Sequence, residues 1–121
     1  MGATDKLYVV VDGSLAPGLQ IAQALHAFRE FLAAHPEAEA RWYGGSNTLA
    51  VLAADGERAL HDLLRVATRH QIRAAAFREP DLAAGGTAPV TAVALEPGDL
   101  AARLCRGYPL ALSARAARLA S

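Results

Sequence analysis

The chain is poor in the residues that most often declare a chemistry. It has one cysteine, Cys105, which excludes an internal disulfide framework and a multi-cysteine metal site. None of the four histidines stands at a metal-ligand spacing such as HxxxH, so no metal is expected. Neither sign of charge is in excess: twelve basic and twelve acidic residues cancel. No strong overall field therefore draws in DNA or an anionic membrane, and an RNA partner has to be held by a local patch. No apolar run approaches the roughly 18 residues of a membrane span. Met1 to Lys6 is polar and leads straight into a short apolar run, which is not the pattern of a signal peptide. The expected location is the cytoplasm. There is no Walker A loop, no GxGxxG, no GxSxG and no CxxC, so a nucleotide-binding loop is not expected.

What the chain does have is apolar material. Hydrophobic residues make up 53% of 121 positions, which excludes a disordered chain and fits one compact domain over residues 1–121. Leu7 to Val11 is an unbroken β-branched and aromatic run, the pattern of a strand buried on both faces. A helix is predicted from Pro17, which suits a first-turn position, to about His35-Pro36. Ile21, Leu25, Phe28 and Leu32 form its apolar stripe and its expected core face. Leu19, Gln23, His26 and Glu30 fall on roughly the opposite side. Residues 36 to 47 read as a loop around Trp42-Tyr43-Gly44-Gly45, with the two aromatics capping the core or stacking a base. Thr48 to Leu52 reads as a second strand. A second helix follows Asp55-Gly56-Glu57, with Leu60, Leu63, Leu64 and Ala67 on one face. Gln71 to Phe77 and Val90 to Leu95 read as third and fourth strands, separated by a polar loop. A short helix from Pro97 to Cys105 and an extended Leu110 to Leu112 complete the chain.

This order predicts an α/β three-layer sandwich, a four-stranded mixed sheet with helices on both faces. The first crossover is long enough for parallel pairing, and the close third and fourth strands suit antiparallel pairing.

Three segments join polar residues to a special backbone setting. In Asp12 to Gln23 a strand feeds a helix, whose first N–H groups favour anions and whose Gly18 allows close approach. Phe77-Arg78-Glu79-Pro80-Asp81-Leu82 puts three charges and a proline directly after a strand, and a carboxylate there can activate water. Thr87 to Thr91 places two hydroxyls before the fourth strand, where one can orient a water or donate to an oxyanion.

The order of these segments resembles that of the type 2 peptidyl-tRNA hydrolases. Lys6 to Val11 followed by Leu15-Ala16-Pro17-Gly18-Leu19-Gln20-Ile21-Ala22-Gln23-Ala24-Leu25-His26-Ala27 resembles the family's opening strand, helix-start glycine and A-Q-x-x-H-A helix. Ser46 to Leu52 matches its second strand loosely. Thr91-Ala92-Val93-Ala94-Leu95-Glu96-Pro97 resembles its threonine-led last strand, and Gly107 to Leu112 its glycine-then-leucines ending. The resemblance implies an α/β sandwich, no cofactor, and hydrolysis of the ester joining a peptide to the 3′ end of tRNA. It also implies the tRNA acceptor end and a second copy of the chain as partners.

Residue by residue, Gln23 and His26 match the family helix, Thr91 its strand-leading threonine and Thr87 its loop threonine. The family's aspartate falls at Glu79 or Asp81, with Asp81 preferred because Pro80 fixes the approach to it. The resemblance implies that Asp81 orients water and Thr91 bonds the water or oxyanion. Arg78 and the helix-one amides, with Gly18 at their start, would hold the acceptor-end phosphate. The family's two helix-one lysines are replaced here by Pro17 and Leu19. Two other expectations compete with this one: a non-catalytic RNA- or protein-binding domain on the same scaffold, and a hydrolase of small esters or amides.

Overall fold

The structure, a computed structural model, describes residues 5–119. It contains strand β1 (Leu7–Asp12), helices α1 (Pro17–Ala34) and α2 (Pro36–Gly44), strand β2 (Leu49–Ala54) and helix α3 (Glu57–Arg69). Then come β3 (Ala74–Arg78), a single 3-10 turn (Pro80–Leu82), β4 (Val90–Leu95), α4 (Asp99–Cys105) and α5 (Ala114–Ala117). The sheet order is β2-β1-β4-β3. β1 pairs parallel to β2 and antiparallel to β4, and β3 pairs antiparallel to β4. The sheet is therefore mixed and four-stranded. Leu110 forms an antiparallel bridge to Leu52, so the chain's last extended stretch covers part of the β2 edge.

Two apolar layers hold the sheet. On one face Val9, Val11, Ala92 and Ala94 pack against Ala24, Ala27 and Phe31 of α1 and Trp42 of α2. On the other, Tyr8, Val10, Val93 and Leu95 pack against Leu60, Leu63 and Ala67 of α3 and Ala101 and Cys105 of α4. The architecture is the α/β three-layer sandwich. Burial pushes the Cys105 thiol up to about 12, so it stays protonated as a core residue.

Two expectations need correction. The fully buried face of α1 is Gln20, Gln23, Ala24, Ala27 and Phe31; of the expected stripe, Phe28 and Leu32 pack partly against the core and Ile21 and Leu25 lie outside it. Ile21 is 53% exposed and Leu25 60%. The buried stripe is the predicted one moved back by one position, a rotation of about 100°. The cause is close packing: Ala92 and Ala94 leave a shallow sheet surface, and Ala24 and Ala27 let the helix settle onto it. The second correction concerns residues 36–44, which form α2 rather than a loop. Pro36 takes its first position, Glu37 and Glu39 its first turn and Arg41 its last, an order that suits the helix dipole. Trp42 packs edge-on against Phe28 at 5.7 Å and donates its indole N–H to the Thr48 carbonyl at 2.7 Å.

The corrected face can be measured. Ala27→Leu inserts three carbons under α1 and is expected to cost about 1–3 kcal/mol. Leu25→Ala, on the exposed side, is expected to stay within about 0.5 kcal/mol of wild type. Urea denaturation of the two variants checks this; the reverse order of costs would restore the Ile21 stripe as the core face.

Candidate functional site

At one end of the sheet the ladder breaks register. Phe77 pairs with Ala92, but Arg78 pairs with Val90, so Thr91 is one residue extra in β4. Such a bulge re-aims a side chain. Val90 packs on the α3 face and Ala92 on the α1 face. Thr91 also turns to the α1 face, where its hydroxyl meets Gln23.

Gln23 is fully buried in the second turn of α1. Its Nε2 donates to Glu79 Oε1 at 2.9 Å. A carboxylate only accepts, so this contact fixes which end of the amide is which. Gln23 Oε1 then faces Thr91, whose hydroxyl must donate to it. The Phe77 carbonyl lies 3.5 Å from the same hydroxyl, a second and weaker acceptor for its single proton. Beyond Pro80, the Asp81 backbone N–H donates to Glu79 Oε2 at 3.2 Å. The result is a directed chain running from Thr91 through Gln23 to Glu79 and closed by Asp81.

This chain sets the charge of Glu79. The Gln23 hydrogen bond is the largest cause holding its carboxyl below the ordinary glutamate value; the Asp81 N–H comes next, burial opposes, and nearby His26 adds a smaller lowering. The exposed His26 ring stacks flat on Phe77, with centroids 4.3 Å apart and planes 10° apart. An imidazole and an ionised carboxylate thus sit together at the rim of the sheet, over a floor of buried amide and hydroxyl.

The structure gathers Gln23, His26 and Thr91 but not the other expected residues. Glu79, not Asp81, is the carboxylate of the chain; Asp81 contributes its backbone N–H and its side chain is exposed. Strand parity explains this. Phe77 and Glu79 are two apart and share a face, whereas Asp81 lies past Pro80 in the 3-10 turn. The same parity turns Arg78 to the α3 side, where it donates to the Ala88 carbonyl at 2.9 Å and lies close enough to Glu57 to lower its pKa. Arg78 is therefore not the cation of this site. Gly18 is exposed, and a Cβ there would meet no protein atom within 4 Å. Thr87 is exposed on the loop before β4.

Glu57 is a residue that sequence reasoning missed. In the first turn of α3, its Oε2 accepts the Val90 N–H at 2.8 Å and a His61 ring nitrogen at 2.9 Å. It pins the start of β4 one residue before Thr91. Position carries the only available signal: Glu57 follows Gly56, whose φ of 92° sets the strand-to-helix turn.

The Val90 N–H and then His61 hold the Glu57 carboxyl below its ordinary value of 4.5, as Gln23 does for Glu79. A carboxyl depressed in the folded chain stabilises it fully above the unfolded value and loses that contribution as pH falls through the folded value. The urea midpoint should therefore fall as the pH drops through and below the ordinary glutamate value of 4.5. Glu57→Gln keeps the shape and an acceptor for Val90 but has no proton to gain, so its midpoint should fall less steeply. Urea midpoints across that window check this, and equal slopes would remove Glu57 from the account.

No protein-family model matches the chain, and no curated protein matches it. Among solved structures, it is similar to an Agrobacterium tumefaciens protein of unknown function. That likeness has a TM-score of 0.61 and 14% identity, covering 87% of this chain and 96% of the other. At that identity the two chains share a fold.

Proposed function

We propose that the chain hydrolyses the ester joining a peptide, or an N-substituted aminoacyl group, to the 3′ end of tRNA. The observation that supports this most is the ionised Glu79, fixed by Gln23 beside His26 at the open end of the sheet. The ordered resemblance of the opening helix and the last strand to the type 2 peptidyl-tRNA hydrolases supplies the substrate class.

In this reading Glu79 is a poor general base, because a lowered pKa weakens its hold on a proton. Its charge instead orients a water and steadies a neighbouring imidazolium. His26 takes a proton from that water as its oxygen bonds to the ester carbonyl carbon. The carbonyl becomes an oxyanion. When the bond to the ribose oxygen breaks, His26 returns the proton to that oxygen, and the acid and the tRNA leave. Thr91 has its one proton committed to Gln23, so it is a positioning residue and not the nucleophile. Gln23 transmits that position to Glu79.

Pro17 and Leu19 stand where the resembled family has lysines, and Arg78 lies on the other side of the sheet. A missing oxyanion donor costs roughly 2.7–4 kcal/mol, or about 10²- to 10³-fold in rate. The expected enzyme is therefore slow. The same lack of cations favours a second reading, a domain of this scaffold that binds and does not cleave.

Release of a labelled N-acetyl amino acid from N-acetyl-aminoacyl-tRNA, beside a small-ester control, separates these readings. Cleavage is expected, with Glu79→Gln and His26→Ala each lowering kcat about 10²-fold or more. Asp81→Asn should retain most of the activity. Salt-dependent tRNA binding without cleavage would replace the enzyme reading with the binding one. Activity unchanged in both Glu79→Gln and His26→Ala would remove this site from the reaction.

A cation restored at the helix start gives an independent measure. Leu19→Lys is expected to tighten tRNA binding and to steepen its dependence on log salt by about one unit. An unchanged slope would place the acceptor end away from α1.

A further inference from the structure

The two edges of the sheet are finished differently. At β2 the C-terminal stretch covers the edge: the Ala53 N–H donates to the Pro109 carbonyl and the Ala111 N–H to the Val51 carbonyl, both at 2.9 Å. At β3 no described segment does so. The Glu96 N–H bonds the Arg73 carbonyl and the Glu79 N–H bonds the Pro89 carbonyl, so the odd-numbered residues from 73 to 79 turn their backbone groups toward β4. Ala74, Ala76 and Arg78 therefore turn theirs outward. Of these outward groups, only the Ala74 carbonyl has a partner among the described residues, the His35 ring at 3.0 Å. Ala74 to Phe77 carries no charge and no proline, and the bulge lies in β4, so the devices that usually protect an edge are missing from this one.

The outward residues fix how a second strand can lie. In an antiparallel ladder, two residues that exchange both hydrogen bonds must each face the other strand. Two copies of β3 can therefore pair only even residue to even residue. Centred on Ala76, the ladder joins Ala76 to its own copy and Ala74 to the partner's Arg78. His35 takes one lone pair of the Ala74 carbonyl and leaves the other. The odd residues then come opposite one another on the α1 face. Ala75 meets the partner's Phe77, a small side chain against a large one. Arg73 meets the partner's Glu79, a cation against a carboxylate. The Arg73 side chain is 52% exposed and holds Glu96 by one contact of 3.3 Å, so most of its N–H groups are uncommitted. A slip of two residues sets Phe77 against its own copy or against the partner's Arg73, and loses the match of Arg73 with Glu79.

We propose that the chain forms a symmetric dimer through β3, in which the two sheets join into one continuous sheet with Ala76 on the two-fold axis. The edge is self-complementary, as a closed two-fold contact requires. Each Glu79 lies beside the partner's Arg73, which brings a guanidinium to the rim of the candidate site, from which Arg78 is turned away. The dimer does not rest on the hydrolase reading; it needs only the open edge and its register.

Sedimentation equilibrium of the full chain tests the mass, and amide hydrogen exchange read by NMR tests the place. A dimer is expected on the order of tens of micromolar. Its Ala76 amide should exchange about tenfold or more slowly than in the dilute, monomeric chain. Ala76→Pro removes the central outward donor and no bond to β4, and should give a monomer that far-UV circular dichroism shows to be folded. Arg73→Glu sets carboxylate against carboxylate and should weaken the dimer about tenfold or more. Glu96→Gln keeps an acceptor for the Arg73 N–H, releases its guanidinium, and should leave the dimer at least as tight. Three results would each overturn the proposal: a monomeric mass at every concentration up to about 100 µM, a dimer whose Ala76 amide exchanges as fast as in the monomer, or a dimer that both Ala76→Pro and Arg73→Glu leave intact. The first of these would leave the edge to a strand of another protein.

Discussion

A fully buried amide sits where α1 crosses β3 and β4, and much of the molecule is arranged around it. Gln23 has no access to water, so both ends of its amide need protein partners. Thr91 supplies the donor and Glu79 the acceptor. Neither is available in a regular sheet. Thr91 reaches the α1 face only because β4 bulges, and Glu79 only because the backbone stays extended for one residue past the end of β3, its N–H bonded to the Pro89 carbonyl. The bulge in turn needs the start of β4 held in place, which Glu57 does from the opposite layer. A single buried polar group thereby couples both helical layers to one end of the sheet.

The small residues make this possible. A helix carrying leucines toward the sheet would stand further off, and Gln23 would not span the gap to Glu79. Ala24 and Ala27 against Ala92 and Ala94 bring α1 down until a glutamine side chain reaches both strand ends. The cost is that Ile21 and Leu25 are left half exposed. Alanine contacts contribute less apolar burial than leucine would. On α1, fit to the sheet outweighs apolar area.

That balance explains what could be read in the sequence. Strand and helix order followed from apolar runs and breakers, and so did the mixed sheet, because Leu7 to Val11 is an unbroken apolar run and the first crossover is long. The face of α1 followed only in part, since Phe28 and Leu32 pack against the core while Ile21 and Leu25 do not. Periodicity weighted by side-chain size selects Ile21, Leu25, Phe28 and Leu32, while alanine and glutamine add little to such a count. Helix α2 was hidden by its glycines and aromatics, although Pro36 and the following acids mark its start. At the site, the resemblance pointed to Gln23, His26 and Thr91 as residue types worth attention, and the structure brings those three together. The choice between Glu79 and Asp81 turned on strand parity, which becomes usable only once β3 is known to extend to Arg78. The bulge at Thr91 has no sequence mark, since neither glycine nor proline sits in β4.

Two glutamines one turn apart on α1 show how the same side chain serves two ends. Gln23 spends its donor and its acceptor inside the protein, so it fixes geometry and has nothing left to offer a ligand. Gln20 spends only its donor, on the turn that joins β1 to α1. That turn, through Gly13, and the C-terminal stretch, through Leu112 and Ser113, wall the same hollow. The helix therefore presents a closed polar chain toward β3 and β4, while its other buried glutamine is bonded only through its donor, to the turn that joins β1 to α1.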